Sequence, residues 1–338
     1  MRLRLARPRF LPDNFTLAML ATVAGASILP CSGDAAVALN VVTNIGICLL
    51  FFLHGAKLPR EAVVDGITHW RLHLLVLLGT FAVFPLLGLL LRPLLSPLVT
   101  PDLYLGILFL CVLPSTVQSS IAFTAVARGN VPAAICSASA SNLIGIFLTP
   151  VLVSLLIVQH TNANASLDAV WHIALQLLLP FVAGQVLQPW IGGFIAKYIN
   201  VLRLVDQSVI LLVVYTAFSE AVGQGLWQQM PAKSLVGLLL IDAVLLALVI
   251  GISTFASRRF GFNDEDEVTI VMCISKKSLA SGVPMAKVLF SGHALGAVVL
   301  PLMLFHQLQL MVCAVLAQRY ARRLSPTIPP TSDGGARP

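Results

Sequence analysis

The sequence has few charged residues and few aromatic residues for its length. Asp, Glu, Lys and Arg together make up 10% of the 338 residues, and Phe, Trp and Tyr make up 7%, whereas 58% are hydrophobic. Soluble globular domains carry a charge on about a quarter of their residues. This shortage of charge excludes a soluble domain and indicates a polytopic membrane protein.

Signatures of several other protein classes are also missing. The six cysteines lack the paired spacing of a metal site or a disulfide framework. The net charge is +7, but the basic residues form no continuous stripe, so we expect no nucleic-acid partner. The sequence contains no Gly-x-Ser-x-Gly elbow, no His-Glu-x-x-His motif and no phosphate loop. We therefore expect neither an enzyme nor a cofactor.

Ten apolar segments are long enough to cross a membrane, which takes about 20 residues. They lie at 14–30, 36–56, 71–93, 101–127, 131–158, 167–190, 201–221, 233–256, 267–289 and 292–318. The sequence thus predicts an all-α polytopic membrane protein with ten transmembrane helices. Residues 1–13 are expected to form a cytoplasmic N-terminus. Residues 324–338 are expected to form a disordered cytoplasmic tail, because they are rich in Pro, Ser and Gly.

The Lys and Arg residues fall unevenly on the two sides of this layout. Of the 21, 16 lie on one side and three, Arg92, Lys233 and Lys287, lie on the other. Basic residues favour the cytoplasmic side, so both termini are expected in the cytoplasm. Short loops are typical of a bacterial inner-membrane protein. The acidic run 264–267 is interpreted as a solvated cytoplasmic loop.

Two of the ten segments are interrupted by polar and helix-breaking residues. The fourth is interrupted at Pro114, Ser115, Thr116, Gln118, Ser119 and Ser120, and the ninth at Ser275, Lys276, Lys277, Ser278, Ser281, Gly282 and Pro284. A charge at the centre of the bilayer costs roughly 2.5–3.5 kcal/mol on insertion scales, so the two lysines indicate a functional site. The alternative is a lysine that reaches the membrane surface through its long side chain.

The interrupted segment is the fourth in each half of the layout. An odd number of spans per half inverts one half relative to the other, so we predict two inverted five-helix repeats at 14–158 and 167–318. Paired interrupted helices of this kind are typical of the binding site of a secondary transporter. A channel is one alternative, and an intramembrane enzyme with Ser275 as nucleophile and Lys276 as base is another.

The interrupted regions resemble the bile acid:sodium symporter family, and more closely its SBF-like branch of orphan transporters. The motifs are CVLPSTVQSSIAFTAVARGNVPAAICSASASNLIGIFLTP at 111–150 and CISKKSLASGV at 273–283. The resemblance implies a core domain of helices 3–5 and 8–10, with crossed broken helices 4 and 9. It also implies a panel domain of helices 1, 2, 6 and 7, and alternating access for an organic solute, usually an anion, by symport with sodium.

The sodium ligands that the resemblance implies are largely replaced in this chain. The family's fourth-helix Ser-Asn pair falls on Ser119 and Ser120. Its two fifth-helix hydroxyls fall on Ala134 and Ala138, and its ninth-helix Glu and Gln fall on Ser275 and Leu279. Hard cations need several oxygen ligands, and most of these are missing.

Two hypotheses on the coupling ion stay open. In the first, Lys276 or Lys277 supplies the positive charge in place of sodium, so that coupling, if any, is to protons. In the second, sodium binds in a site rebuilt from side-chain oxygens of Gln118, Ser119, Ser120, Ser137, Ser139, Ser141 and Asn142.

The candidate substrate or ion site combines the two breaks with polar residues of the fifth segment. It comprises Ser115, Thr116, Gln118, Ser119, Ser120, Ser139, Asn142, Ser275, Lys276, Lys277, Ser278 and Ser281. Asp242 and His306 are possible charge partners, and we expect Asp242 to contact one of the lysines; the alternative is a protonated or carbonyl-bonded Asp242. The expected partners are the lipid bilayer and a small organic anion, bile-acid-like or other. We expect a monomer or a weak homo-oligomer.

Overall fold

The computed structural model describes residues 14–57, 69–95, 98–156, 167–229, 231–290 and 295–323. The predicted cytoplasmic N-terminus at 1–13 and the predicted tail at 324–338 lie outside the described residues. All regular secondary structure in the described ranges is helical, which confirms the all-α class.

The described residues of the first half form eight α-helices and one π-helical turn. These are α1 (Asn14–Ile28), α2 (Gly33–Lys57), α3 (Trp70–Leu78), the π-turn (Gly79–Val83), α4 (Phe84–Leu90), α5 (Arg92–Leu95), α6 (Pro101–Val112), α7 (Val117–Val126) and α8 (Val131–Leu156). The second half contains α9 (Leu167–Lys197), α10 (Ile199–Gly223), α11 (Leu226–Gln229), α12 (Ala232–Arg259), α13 (Asp264–Ile274), α14 (Leu279–Leu289) and α15 (Leu295–Arg323).

Within the described residues, seven helical stretches are long and apolar enough to cross a membrane, and an eighth span is formed if α6 and α7 count as one. Their outer surfaces carry large apolar side chains. Leu90, Leu179 and Phe255 are each about 70% exposed. Exposed apolar surface of this extent is stable in lipid and not in water. The chain is therefore an integral, multi-pass membrane protein.

Helices α1, α2, α9 and α10 form one group. The most extensive helix contact of the fold is between α2 and α9, and α1 packs along α10. The α2–α9 contact is close because a glycine lies at the crossing on each side: a Cβ at Gly55 would overlap the carbonyl oxygen of Phe181, and a Cβ at Gly184 that of Phe52. Small residues allow backbones to approach in this way in membrane proteins.

The remaining helices form a second group around α6 and α15. Helix α15 packs along α6, α7 packs along α8, and α12 packs against α13 and α15. Phe109 and Phe305 are fully buried within this group. Gly145 of α8 lies against the ring of Pro114, where an added Cβ would come within 2.6 Å of the proline Cβ. Residue 145 therefore has to be small for α8 to support the break that follows α6.

The interpretation of residues 264–267 as a solvated loop is wrong. These four residues form the first turn of α13, and the side chain of Asn263 accepts a hydrogen bond from the Asp266 backbone N–H as the helix cap. Glu267 is 2% exposed and is bonded by Arg258 through two nitrogens, at 2.8 and 2.9 Å, and by the Tyr320 hydroxyl. Acidic residues stabilise a helix N-terminus, so their number here reflects capping as well as solubility.

Candidate functional site

Two interrupted helices meet in the second helix group. Helices α6 and α7 are joined at a 63° bend, and α13 and α14 are separated by residues 275–278. The breaks are linked directly: the Ser278 N–H donates to the Pro114 carbonyl at 2.9 Å, and Thr116 Oγ1 donates to the Lys277 carbonyl at 2.8 Å. Ser115 Oγ donates to the Cys273 carbonyl at 2.6 Å. The polar residues of both breaks therefore form one connected site.

Lys277 occupies the centre of this site with its ammonium group fully satisfied. Its Nζ donates to three backbone carbonyls, those of Thr80 at 2.9 Å and of Cys111 and Leu113 at 2.8 Å each. The same nitrogen lies 4.1 Å from the ring centre of Phe84, and the residue has no solvent exposure. Three carbonyl oxygens and an aromatic face form a ligand set that is suited to one compact positive charge.

Each of these carbonyls is free because its own helix cannot use it. In the π-turn, the Phe84 N–H donates to the Gly79 carbonyl, one residue before the Thr80 carbonyl that an α-helix would use. With the same π-helical spacing, the Thr80 carbonyl would accept from the N–H of residue 85, but residue 85 is a proline and has no N–H. The carbonyls of Cys111 and Leu113 lie at the C-terminal end of α6, where helix carbonyls have no donor within the helix. The local structure thus presents three acceptors to one ammonium.

The backbone of Lys277 is held by Gln309 of α15. The Gln309 side chain accepts from the Lys277 N–H at 2.8 Å and donates to the Lys277 carbonyl at 3.1 Å. Its amide nitrogen lies 2.9 Å from His306 Nδ1. His306, proposed from sequence as a charge partner, is thus linked to the backbone of Lys277 through Gln309.

Replacing Gln309 with leucine is expected to destabilise the break. The change leaves the Lys277 N–H without its acceptor in a buried site, which costs about 1–3 kcal/mol. We expect the detergent-purified variant to melt several degrees below the parent protein. The matched control is Gln318→Leu, an exposed position on the same helix; equal melting temperatures for the two variants would contradict this role of Gln309.

Lys276 has the opposite environment to Lys277. It is also fully buried, but within the described part of the chain its Nζ has no oxygen acceptor, and the group placed to accept from it is the weakly accepting thiol of Cys313. The nitrogen lies 4.2 Å from the ring centre of Phe123 in α7, and the thiols of Cys273 and Cys313 are nearby. Ser275, beside it, contacts Cys313 Sγ through its hydroxyl at 3.4 Å. The two lysines that sequence reasoning treated as a pair therefore differ in how well they are satisfied.

Most of the remaining predicted residues surround the break. Ser115 Oγ lies 3.3 Å from Ser120 Oγ, and Ser281 Oγ donates to Asn142 Oδ1 at 2.9 Å. Ser278 caps α14 by accepting from the Ser281 N–H. The hydroxyl of Ser119 is buried without a partner in the described structure.

Two predicted residues lie further out. Gln118 is exposed and accepts a hydrogen bond from Arg203 of α10 at 3.2 Å. Ser139 is half-buried on α8. Arg203 was assigned from sequence only to the cytoplasmic side, and its contact with Gln118 links the two helix groups.

The expected contact of Asp242 with a lysine is not made. Asp242 is fully buried in α12, and neither of its oxygens has a hydrogen-bond partner among the described residues. Lys277 is turned instead toward the carbonyls at the end of α6, which already satisfy its three donors. A carboxyl group without a partner in this environment is stable only in its neutral form.

The structure also shows two site residues that the sequence did not identify. Thr80 supplies a carbonyl to Lys277, and Phe84 supplies an aromatic face. The only signal for them is Pro85, which follows an otherwise regular apolar helix and removes one backbone donor. For the described ranges, no cluster of His, Cys, Asp and Glu could hold a metal ion. Ala134 and Ala138, which replace the family's hydroxyls, are both fully buried.

Comparison with known proteins gives the same family over almost the whole chain. The model of the SBF-like CPA transporter family matches residues 13–322. "Uncharacterized protein PA2026" of Pseudomonas aeruginosa is 66% identical over 319 residues, covering 94% of this chain and 96% of that protein. "Putative symporter YfeH" of Escherichia coli is 53% identical over 311 residues, with 92% and 93% covered. "Sodium/bile acid cotransporter 7" of Mus musculus is 29% identical over 279 residues, with 81% and 82% covered.

Proposed function

The chain belongs to the SBF-like CPA transporter family, and we propose that it is a secondary active transporter in which Lys277 takes the place of a coupling cation. It would move a small organic anion across the membrane by alternating access. The observation that carries the proposal is the coordination of Lys277 Nζ by three carbonyls where the breaks of the two interrupted helices meet. An ammonium held in this way supplies the charge that a bound sodium ion would otherwise supply.

We propose further that the fold consists of ten spans in two inverted repeats. Reciprocal contacts at the breaks support this arrangement. Ser115 Oγ donates to the carbonyl of Cys273, four residues before Lys277, and Lys277 Nζ donates to the carbonyl of Cys111, four residues before Ser115. A two-fold relation between the breaks accounts for this exchange.

The helix contacts also occur in corresponding pairs. Contact of α2 with α9 corresponds to contact of α10 with α1, and contact of α3 with α8 corresponds to contact of α12 with α15. In addition, the backbone N–H of Ser115 is held by Ser141 of α8, as that of Lys277 is held by Gln309 of α15. These pairs support a panel of α1, α2, α9 and α10 against a core of the other long helices.

The solute would bind between panel and core. Panel helix α10 contacts the core near both of its ends, through Arg203 to Gln118 and through Glu220 to Lys287 at 3.5 Å. Contacts of this kind have to break and re-form when one domain moves against the other. Arg203 beside the exposed Gln118 provides a positive charge in this region, which supports an anionic solute.

We propose coupling to protons, or transport without a coupling ion, in preference to sodium. Several hydroxyls that a rebuilt sodium site would require already bond protein groups. Ser141 Oγ accepts from the Ser115 N–H at 3.1 Å, and Ser137 Oγ lies 2.6 Å from His73 Nδ1. Sodium needs oxygens that are free to coordinate it.

The proposed setting is a bacterial inner membrane, with both termini in the cytoplasm and a monomer or weak homo-oligomer as the functional unit. The uneven distribution of Lys and Arg supports this orientation. The named bacterial relatives support the setting, since both cover more than nine tenths of the chain.

Uptake experiments in proteoliposomes test the proposed function. A panel of organic acids, bile acids included, is first screened for thermal stabilisation of the purified protein with and without sodium. Uptake of the best binder is then measured under a sodium gradient at clamped pH and under a pH gradient without sodium. We expect saturable uptake that does not require sodium. Strict dependence on sodium at clamped pH would reject the role of Lys277 as the cation substitute.

The same preparation separates the competing classes. Saturable counterflow indicates a carrier, whereas bulk conductance would indicate a channel. For an enzyme with Ser275 as nucleophile, Lys276 Nζ would have to bond the serine hydroxyl, but that hydroxyl contacts Cys313 and the nitrogen has no partner in the described structure.

A further inference from the structure

We propose that Lys276 is the residue that binds and releases the coupling proton, while Lys277 stays charged throughout the transport cycle. This inference rests on the proposed function, which leaves open which of the two adjacent lysines carries the coupling proton. It assigns a fixed charge to one and a mobile proton to the other.

The two ammonium groups differ in their acceptors. Lys277 Nζ has three carbonyl acceptors, which match its three N–H donors, so its charged form is satisfied without water. Lys276 Nζ is equally buried but has no oxygen acceptor among the described residues, only the weak sulfur acceptor of Cys313. A charged amine without acceptors loses its hydration and gains little in return, whereas a neutral amine is tolerated in such a place.

Among the described residues, no carboxylate faces Lys276 as a counter-charge. Its neighbours are the ring of Phe123 from α7, the thiol of Cys313 from α15 and the thiol of Cys273 near the end of α13. The thiols are the titratable groups that face it. Glu267, two and a half turns earlier on α13, is committed to Arg258 and Tyr320. An aromatic face and two thiols offset only part of the cost of burying a charge.

Access to Lys276 is controlled by Phe123. This ring is partly exposed and lies over Nζ, so it is positioned between the amine and the outside of the core. Movement of α7 relative to α13 would expose the amine to water, where it takes up one proton to become an ammonium. Return of the ring would require that proton to leave or an anion to accompany it. Proton uptake would thereby be linked to the presence of an anionic solute.

A chemical labelling experiment tests the assignment without knowledge of the solute. Acetic anhydride acylates neutral, accessible amines, and peptide mass spectrometry reports each lysine separately. In Phe123→Ala protein purified in detergent, we expect acetylation of Lys276 at least about tenfold faster than that of Lys277, as a tenfold larger neutral fraction would give. Equal protection of the two residues, or faster labelling of Lys277, would overturn the proposal.

A transport experiment separates this inference from the proposed function. With the best organic acid from the stabilisation screen, Lys276→Met protein is expected to keep measurable counterflow but to lose acceleration by a pH gradient. If the parent protein is driven by the pH gradient and Lys276→Met is driven equally, the inference fails and the proposed function stands. If the parent protein requires sodium at clamped pH, the proposed function fails and the transport role of Lys276 fails with it.

Discussion

Lys277→Met protein is expected to melt about 5–15 °C below the parent protein and to show no uptake of the organic anion. The substitution removes one ammonium and leaves the carbonyls of Thr80, Cys111 and Leu113 without donors in a site from which water is excluded. Each unsatisfied carbonyl costs about 1–3 kcal/mol in soluble proteins and less in membrane proteins, so the total is roughly 2–5 kcal/mol. For a chain of this size, each kcal/mol lowers the melting temperature by about 2–4 °C.

Lys276→Met is the matched control, because it makes the same chemical change at the adjacent, equally buried position. No carbonyl loses its donor there, and an apolar chain replaces an amine that lacks oxygen acceptors in the described structure. We expect its melting temperature to equal or exceed that of the parent protein. Thermal unfolding followed by tryptophan fluorescence in one detergent gives both values. If Lys276→Met lowered the melting temperature as much as Lys277→Met, the carbonyl contacts would not stabilise the break.

The sequence could predict the break in α6–α7 because its cause is local. Pro114 lacks the N–H that an α-helix requires, and the residues after it favour caps and turns. The second break is signalled by charge, because two lysines in an apolar segment need a polar environment. The all-α membrane class and the family were likewise predicted and are confirmed, since both depend on composition and motifs that are read directly from the chain.

The difference between the two lysines could not be predicted, because adjacent residues with the same side chain give no signal that separates them. It arises from the direction in which each side chain leaves the break: one points to the end of α6, and the other to Phe123 and Cys313. The role of Thr80 was hidden for a related reason. Its contribution is a backbone carbonyl, and only the π-turn frees that carbonyl.

The position of Asp242 shows the limit of arguments from charge alone. An acidic residue and two lysines within one predicted domain suggested an ion pair, because each would be costly on its own. The chain instead satisfies Lys277 with carbonyl dipoles, which are available at every helix end and leave no trace in the sequence. Asp242 then remains without a partner in the described structure, in a part of the helix where the other buried residues, from Leu238 to Val249, are apolar.

Gly184→Ala is the second substitution with a large expected effect, and it acts on the contact between α2 and α9 rather than on the two breaks. A Cβ at this position would overlap the carbonyl oxygen of Phe52, and its nearest neighbours are all backbone atoms of α2 that cannot rotate away. Helices α2 and α9 would have to separate along the most extensive helix contact of the fold. We expect the free energy of unfolding to fall by about 3 kcal/mol or more, which would give a markedly lower melting temperature and a reduced yield of folded protein.

Gly193→Ala on the same helix separates this steric effect from the general effect of alanine. No atom lies within 4 Å of a Cβ at Gly193, and alanine favours a helix over glycine by about 1 kcal/mol. The control is therefore expected to melt at or slightly above the parent temperature, while Gly184→Ala melts well below it. In Gly55→Ala the added Cβ would overlap the Phe181 carbonyl from the opposite side of the contact, so this variant should also melt well below the parent protein. If Gly184→Ala and Gly193→Ala had equal melting temperatures, the stability of the protein would not depend on backbone contact between α2 and α9, and the proposed panel would lose its structural basis.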